Sequence, residues 1–444
     1  MRLLKIFVCL AAFFPAAPAG ANPVDAFGLG SRLGAMGGAG AAAVEGAAAN
    51  YYNPAALVRG RDLEIDLGYQ AAMPRLELGG RDSRVDGTQG LVAAVAVPGP
   101  VGPLRLAFGV GIFLPDDRVT RVRALAYSQP RWVAYDNRTQ RIFLAAHLAV
   151  QIVPGLYLGG GLAFMSRTEG TVGLKGRIAI SDPDEQSSLV TSIAVDLVAI
   201  RYPQLGLLWE PRPWLRLGLV YRHSFLLQLD QGFTVRGDVG NEGLEPIVRG
   251  GTLGARSVSS DLFQPWQLAL GGVVKPTRRL LVAYEIAFVR WSEFPTPAST
   301  LTVELDIGER LNPLVKIPPP RVYDQPGFRD LLVPRLGLEW RAVDRPRLGL
   351  DLRAGYAYEP SPVPDQTGET NYVDADKHRL SGGAGLEALP FPRVWPRPLG
   401  IDLHAAVTVL SSRATRKLDP LDAVGDYVAR GWIGELGVTT RWRF

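Results

Sequence analysis

The sequence predicts an all-β membrane protein, a transmembrane antiparallel β-barrel of about 14 strands with an N-terminal plug in its lumen. Three observations predict it. The stretch Gly431–Phe444 alternates: Trp432, Leu436, Val438, Trp442 and Phe444 share one face, and Ile433, Glu435, Thr439, Arg441 and Arg443 share the other. That is the period of a strand, with aromatics at both ends of its apolar side. The same alternation recurs along the chain. Leu63, Ile65, Leu67 and Tyr69 oppose Asp62, Glu64, Asp66 and Gln70; Leu348, Leu350, Leu352, Ala354 and Tyr356 oppose Asp351 and Arg353; Ile401, Leu403, Ala405 and Val407 oppose Asp402, His404 and Thr408. Finally, the connections sort into two kinds. Short, proline-built ones such as Pro98–Pro103, Pro154-Gly155, Pro211–Pro213 and Asp344–Pro346 alternate with long ones. An outer-membrane barrel has short periplasmic turns and long outer loops, whereas a soluble two-sheet fold has no reason to sort its loops this way.

The elements follow in order. Residues 1–21 are expected to be a signal peptide: Arg2 and Lys5 precede the apolar run Ile6–Phe14, and Ala19-Gly20-Ala21 fits a small-residue cleavage site. The single cysteine, Cys9, falls inside it, so no disulfide or thiol chemistry is expected of the rest. Without Arg2 and Lys5 the formal charge of +5 becomes +3, which gives no case for nucleic acid. Residues 22–60 are rich in Gly and Ala, too short for a domain and too apolar for a solvated tail. Their place is inside the barrel, as a hatch or plug. Residues 61–444 make the barrel, with strands expected near 61–73, 88–98, 103–114, 138–151, 155–169, 199–210, 214–229, 265–275, 279–291, 334–343, 346–358, 378–388, 399–410 and 431–444. The last must pair with the first, because an open strand edge is untenable in lipid. Mean hydropathy near zero agrees, since barrels hide their lipid face by alternation.

Little in the chain suggests catalysis. The histidines 147, 223, 378 and 404 lack metal-ligand spacing, and no cofactor or metal is expected. Gly28–Gly40 has no strand before it and lacks the spacing of a nucleotide loop. There is no Gly-x-Ser-x-Gly and no His-Glu-x-x-His. Arg216, Arg222, Glu285, Arg335, Glu339, Arg341, Asp351, Arg353, Asp402 and Glu435 are expected to point inward. Barrel interiors are polar, so most of these should pair with one another.

Two stretches carry a family resemblance. Gly34-Ala-Met-Gly37-Gly38-Ala39, followed by Tyr51-Tyr-Asn53-Pro54-Ala55, resembles the N-terminal hatch of the FadL family of long-chain fatty acid transporters. Arg353–Asp365, with its Ser361-Pro-Val-Pro364, and the following Val373–Leu380 resemble a loop and strand start of the same family. Pro265-Trp266 and Trp291-Ser292 add a weaker match. The resemblance implies a barrel of about 14 strands that takes up long-chain fatty acids or other hydrophobic small molecules, aromatic hydrocarbons included. Capture near the outer loops, hatch movement and sideways exit through the wall near the third strand are implied with it. Hatch residues would include Gly34, Gly37, Gly38, Asn53, Pro54 and Ala55. Gly109, Gly111 and Pro115 are the lateral-gate candidates, because glycine weakens a strand and proline removes a ladder donor. Arg216, Arg335 and Arg353 are the candidates for a substrate carboxylate. The expected setting is a monomer in the outer membrane of a Gram-negative bacterium, in contact with its lipids and lipopolysaccharide. The alternatives are a barrel scaffold associated with secretion or assembly, and a general porin, which the plug disfavours.

Overall fold

The computed structural model describes residues 27–116, 128–135, 141–178, 188–239, 248–297, 300–309, 312–389 and 397–444. The expected signal peptide lies outside them. In chain order the strands are β1 (Glu64–Leu78), β2 (Arg81–Asp82), β3 (Thr88–Val101), β4 (Leu104–Pro115), β5 (Arg131–Trp132), β6 (Phe143–Val153) and β7 (Leu156–Ile178). There follow β8 (Ser188–Arg212), β9 (Leu215–Arg222), β10 (Phe225–Val239), β11 (Val248–Gln264), β12 (Gln267–Val274), β13 (Leu280–Val289) and β14 (Thr300–Asp306). The chain ends with β15 (Leu331–Arg345), β16 (Leu348–Glu359), β17 (Tyr372–Val373), β18 (Lys377–Ala388), β19 (Leu399–Thr415) and β20 (Tyr427–Arg443).

Fourteen of these close a ring of antiparallel neighbours: β1, β3, β4, β6, β7, β8, β9, β12, β13, β15, β16, β18, β19, β20, and back to β1. The closing ladder runs from Glu64↔Arg443 to Leu78↔Ala429, and the Phe444 amide donates to Leu63 O at 2.9 Å. No edge is left in the ring, so every strand satisfies its backbone groups on both sides, as hydrocarbon demands. No helix among the described residues is long and apolar enough to cross a membrane.

Alternation sorts the side chains as expected. Leu67, Tyr69, Leu148, Leu205, Trp340, Leu403, Leu436 and Phe444 are exposed on the outside, while Glu64, Asp66, Arg216, Arg222, Glu285, Asp351, Arg353, Asp402 and Glu435 are buried within. The ring-strand connections 102–103, 154–155, 213–214 and 346–347 are two residues each, and all lie at the end where β1 starts and β20 finishes.

The structure departs from the expected strands in several places: those at 155–169 and 199–210 extend to Leu156–Ile178 and Ser188–Arg212, the expected loops 74–87, 115–137 and 359–377 hold the short β2, β5 and β17, and two further stretches differ. The run 214–229 is two strands, because the chain leaves the ring after Arg222; Phe225 then begins β10, which pairs with β11 and runs parallel to the outer part of β7. The expected loops 230–264 and 292–333 likewise hold β10, β11 and β14. With β7 at 23 residues and β8 at 25, these ladders exceed the roughly 9–11 residues that cross a bilayer. The surplus forms a sheet beyond the long-loop end of the ring.

Candidate functional site

The segment 27–60 folds into short turns: helical at Ser31–Gly34 and Ala49–Tyr52, and 3-10 at Gly46–Ala48 and Pro54–Arg59. Its alanines and glycines let backbone approach backbone. Gly37, at φ 66°, occupies the left-handed region that favours glycine, and a Cβ there would stand 2.9 Å from the backbone of Tyr356. Its amide donates to Ser381 Oγ at 3.0 Å, and that hydroxyl donates to Ala35 O. Gly34 faces the His404 ring, and Gly38 lies beside Arg335. Asn53, wholly buried, donates from Nδ2 to Ala41 O at 2.6 Å and Leu207 O at 3.1 Å, while its Oδ1 accepts from the Ala55 amide. Pro54 opens the 3-10 turn that follows. Further contacts reach Thr439 from Ser31, Glu285 from Ala41, Glu64 from Ala47, and the Val95 and Val110 carbonyls from Asn50. The partners thus come from strands all round the ring.

The wall answers with glycines that the alternation alone does not single out. At Gly159, Gly218, Gly337 and Gly355 the atoms nearest an added methyl group would belong to the backbone of this segment: Ala55 and Pro54, Ala41 and Ala42, Met36, and Gly37 with Met36. Each lies on the inward phase of its strand; Gly218, for instance, falls between Arg216 and Val220. That phase was readable in the sequence, but the partner was not.

Ion pairs hold the same assembly. Arg32 forks onto both oxygens of Glu339 at 2.8 Å; Arg353 bonds Glu339 at 2.7 Å and Asp402 at 2.6 Å; Arg441 bonds Asp402 at 2.6 Å; Arg443 bonds Glu64 at 2.8 Å. Glu64 also accepts from the Ala47 amide. Glu387 joins Arg441 to Arg443 at 3.4 and 3.5 Å, so the chain of charges runs from Arg32 of the N-terminal segment round to Glu64 and back to the segment at the Ala47 amide. Bidentate and charge-assisted bonds in a buried setting are the strong kind, and each carboxylate is served by more than one donor.

Toward the long-loop end lies an aromatic roof. Phe294 stacks on Phe328 with ring centroids 4.2 Å apart, and Phe263, Trp291 and Tyr372 pack edge-on or tilted around them. A strap at 131–135 crosses the mouth. Its β5 pairs with β17, between β16 and β18, and Trp132 Nε1 donates to Ser83 Oγ in the connection between β1 and β3. Asp374, just past β17, is buried; burial pushes its carboxyl up against the opposing pull of Lys377.

Between roof and segment is a cavity of about 150 Å³. Phe27, Gly28, Tyr51 and Tyr52 line it from the segment, Tyr135 from the strap, Trp291 from the roof, and Arg222, Gln264, Gln267, Glu285, Val289, Val333, Arg335, Lys377, Arg379 and Glu435 from the wall and its outer extension. Arg335 pairs with Glu285, Arg379 with Glu435, and Lys377 with Glu359 and Asp374.

The three candidate arginines are not brought together. Arg335 faces this cavity. Arg353 is buried among Glu339, Asp351 and Asp402. Arg216 lies at the short-turn end, bonded to Glu210, Glu45 and Ala42 O, beside a second cavity of about 440 Å³. The lateral-gate candidates lie on β4, whose ladders to β3 and β6 run without a register shift. Asn50 and Leu57 of the segment sit directly over Gly109, and Asn50 and Leu29 over Gly111. Among the described residues no cluster could hold a metal ion.

Three comparisons bear on this arrangement. A family model described as outer membrane protein transport protein (OMPP1/FadL/TodX) matches residues 7–391. The long-chain fatty acid transport protein of Escherichia coli O6:H1 (strain CFT073) is 28% identical over 187 residues, 40% of this chain; the match spans 36% of that relative's length. Among solved structures, a Pseudomonas aeruginosa FadL homologue superposes with a TM-score of 0.59 at 15% identity, covering 97% of this chain and 100% of its own. The P. putida toluene transporter TodX gives a TM-score of 0.50 at 14% identity, covering 94% and 99%. At such identities these structures share the fold.

Proposed function

The chain belongs to the outer membrane protein transport family (OMPP1/FadL/TodX), and from that footing we propose that it carries hydrophobic small molecules, fatty acids or aromatic hydrocarbons, inward across the outer membrane of a Gram-negative bacterium. The family is made up of transport channels, not enzymes. The observation that carries the proposal is the order of layers along the lumen: an aromatic roof, a cavity, then a segment bonded to the wall all round. Apolar cargo needs a dry acceptor beyond the polar outer leaflet, and the roof supplies aromatic surface for it. The segment then acts as the hatch and must move for cargo to pass.

The proposed way out is sideways, at β4. There the inner wall is Ala94, Ala96, Ala107, Gly109, Gly111 and Ala145, on strands paired side by side. On β3 and β4 no side chain in that patch is larger than a methyl group, while on β6 the residue opposite Gly109 is the buried His147. Asn50 and Leu57 cover it, so withdrawal of the segment would leave the wall at its thinnest where glycine already weakens the strand.

The test is uptake of labelled oleate and labelled toluene by a deletion strain and its complemented partner. Complementation should restore uptake of one or both. Unchanged uptake of both on deletion, with a secretion defect instead, would overturn the transport reading in favour of a scaffold. In the same assay Gly111→Val thickens the patch; its Cβ would stand 3.1 Å from Asn50 Cβ. Uptake should slow severalfold while the folded, heat-modifiable band stays unchanged. Normal rates would remove the β4 route.

A further inference from the structure

Three consecutive hairpins of the ring, β8–β9, β12–β13 and β15–β16, end side by side at the short-turn end. Backbone bonds stitch their tips together. The Lys275 amide donates to Trp214 O at 2.8 Å, and the Arg341 amide donates to Arg279 O at 2.8 Å. These tips carry five exposed arginines, Arg212, Arg278, Arg279, Arg345 and Arg347. None of the five has an ion-pair partner among the described residues. The turns Pro98–Pro103 and Val153–Gly155, on the side of the ring that holds β4, carry no charged residue.

Two β-bulges decide where the charges point. Trp209 pairs with Leu217 and is 48% exposed on the lipid face. Counting on by two would turn Arg212 to the lumen. A register shift between Trp209 and Arg212 instead sets Arg212 opposite Leu215, on the lipid-facing phase of the exposed Leu219; Arg212 also borders the second cavity. On β15, Trp340 is 49% exposed on the lipid face. Strict alternation from it would turn Asp344 to the lipid and Arg345 to the lumen. The shift between Arg341 and Val343 reverses both, so that Arg345 lies opposite the exposed Leu348 and Asp344 opposite the buried Gly349. Bulges re-aim side chains, and each of these aims an arginine outward, just beyond a tryptophan.

A polar lumen would take either arginine readily, whereas a cation on the outer face is tolerated only close to the interface. Exposed tryptophans mark that level, and Trp214, at the β8–β9 tip, is 51% exposed. The groups that a guanidinium meets there are lipid phosphates, whose oxygens suit its planar fork. Barrels keep their short turns at the periplasmic end, so these phosphates belong to the inner leaflet.

We propose that the arc from Arg212 through Arg278 and Arg279 to Arg345 and Arg347 is a binding surface for anionic phospholipids of the inner leaflet. The class it takes is a phosphate diester with no ammonium group to cancel its charge, as in phosphatidylglycerol. The arc is centred on β12, β13 and β15, across the ring from β4, so lipid held there leaves the β4 wall clear. The inference stands on the rim of the barrel and does not depend on the transport reading.

The experiment reconstitutes the purified protein in phosphatidylcholine vesicles that carry a trace of spin-labelled phosphatidylglycerol or spin-labelled phosphatidylcholine. The fraction of label immobilised at the protein gives the relative affinity. The intact protein should favour phosphatidylglycerol at least about fivefold, the worth of one basic residue at a membrane surface, and high salt should cut the preference. Arg212→Gln with Arg345→Gln should remove most of it while the folded, heat-modifiable band stays unchanged, because neither side chain has an ion pair to lose among the described residues. Arg278→Gln with Arg279→Gln should lower the ratio in the same direction. Equal immobilisation of the two lipids by the intact protein would overturn the proposal and leave the arc as a face for an acidic protein. A preference that survives both pairs of substitutions would overturn it as well.

Discussion

Gly218→Ala combined with Gly355→Ala should give a barrel that assembles normally but leaks. Both glycines sit on the inward phase of ring strands, and a methyl group at either would press on segment backbone: Ala41 and Ala42 at the first, Gly37 and Met36 at the second. A flexible side chain could swing aside; peptide groups fixed by their own hydrogen bonds cannot. Overpacking of this kind costs about 1–3 kcal/mol per site. The two sites grip the segment from different sides of the ring, so the costs should add. Neither change touches the lipid face. The expected result is entry of a large hydrophilic antibiotic such as vancomycin, seen as raised sensitivity, with the heat-modifiable band unaltered. Leu219→Ala, one residue away on the outer face, is the control and should leave sensitivity at the starting level. Unchanged sensitivity in the double variant would mean that the segment is not what seals the lumen.

The second large effect is expected at Arg353. It is 6% exposed and is held by Glu339, Asp351 and Asp402. Arg353→Met keeps much of the volume and removes the charge, leaving buried carboxylates short of a partner. Breaking a buried pair from one side typically costs about 3–5 kcal/mol. Arg32 and Arg441 still reach Glu339 and Asp402, so the cost should fall at the lower end of that range. The measurement is the temperature at which the folded band converts to the unfolded one in a gel-shift series. A clear drop is expected for Arg353→Met. The double change Arg353→Met with Asp402→Asn should recover part of it, because the stranded charge goes too. Equal stability of the single variant and the intact protein would show that this network does not hold the wall to the segment.

Much of the barrel was legible in the sequence because a strand's period is local. Leu403 and Asp402 declare their faces to any reader who counts by two, and Pro154-Gly155 declares a tight turn. The outer extension was not legible. Val248–Gln264 is rich in Gly, Ser and Thr, and its partners lie on β10 and β14, in register with segments that look like loop. The break at Arg222 was hidden for a related reason: Phe225–Leu229 continues the apolar run of β9, but the chain there changes partner, and partner is a property of the whole sheet.

The interior divides the same way. That Arg216, Arg222, Arg335 and Arg353 face the lumen follows from alternation. Which of them is paired does not. Arg32 meets Glu339 across 307 residues, and Arg379 meets Glu435 across 56. Counting inward charges therefore could not distinguish Arg353, set among carboxylates, from Arg222, which has none among the described residues. The glycines show the limit from another side. Gly109 and Gly111 stand out as strand weakeners, yet in the folded chain they also make room for Asn50.

The N-terminal segment is bonded to strands all round the ring and, on the transport reading, must move for cargo to pass. Ser31 and Thr439 offer a direct test, since their hydroxyl oxygens are 3.2 Å apart, one on the segment and one on β20. Cysteines at both positions are close enough to bridge, and the chain's own Cys9 falls in the expected signal peptide. The measurement is oleate uptake by cells carrying Ser31→Cys with Thr439→Cys, before and after reduction with dithiothreitol. Uptake should be near the level of the deletion strain while the bridge is closed and should recover on reduction. Equal uptake in the bridged and reduced states would contradict the account.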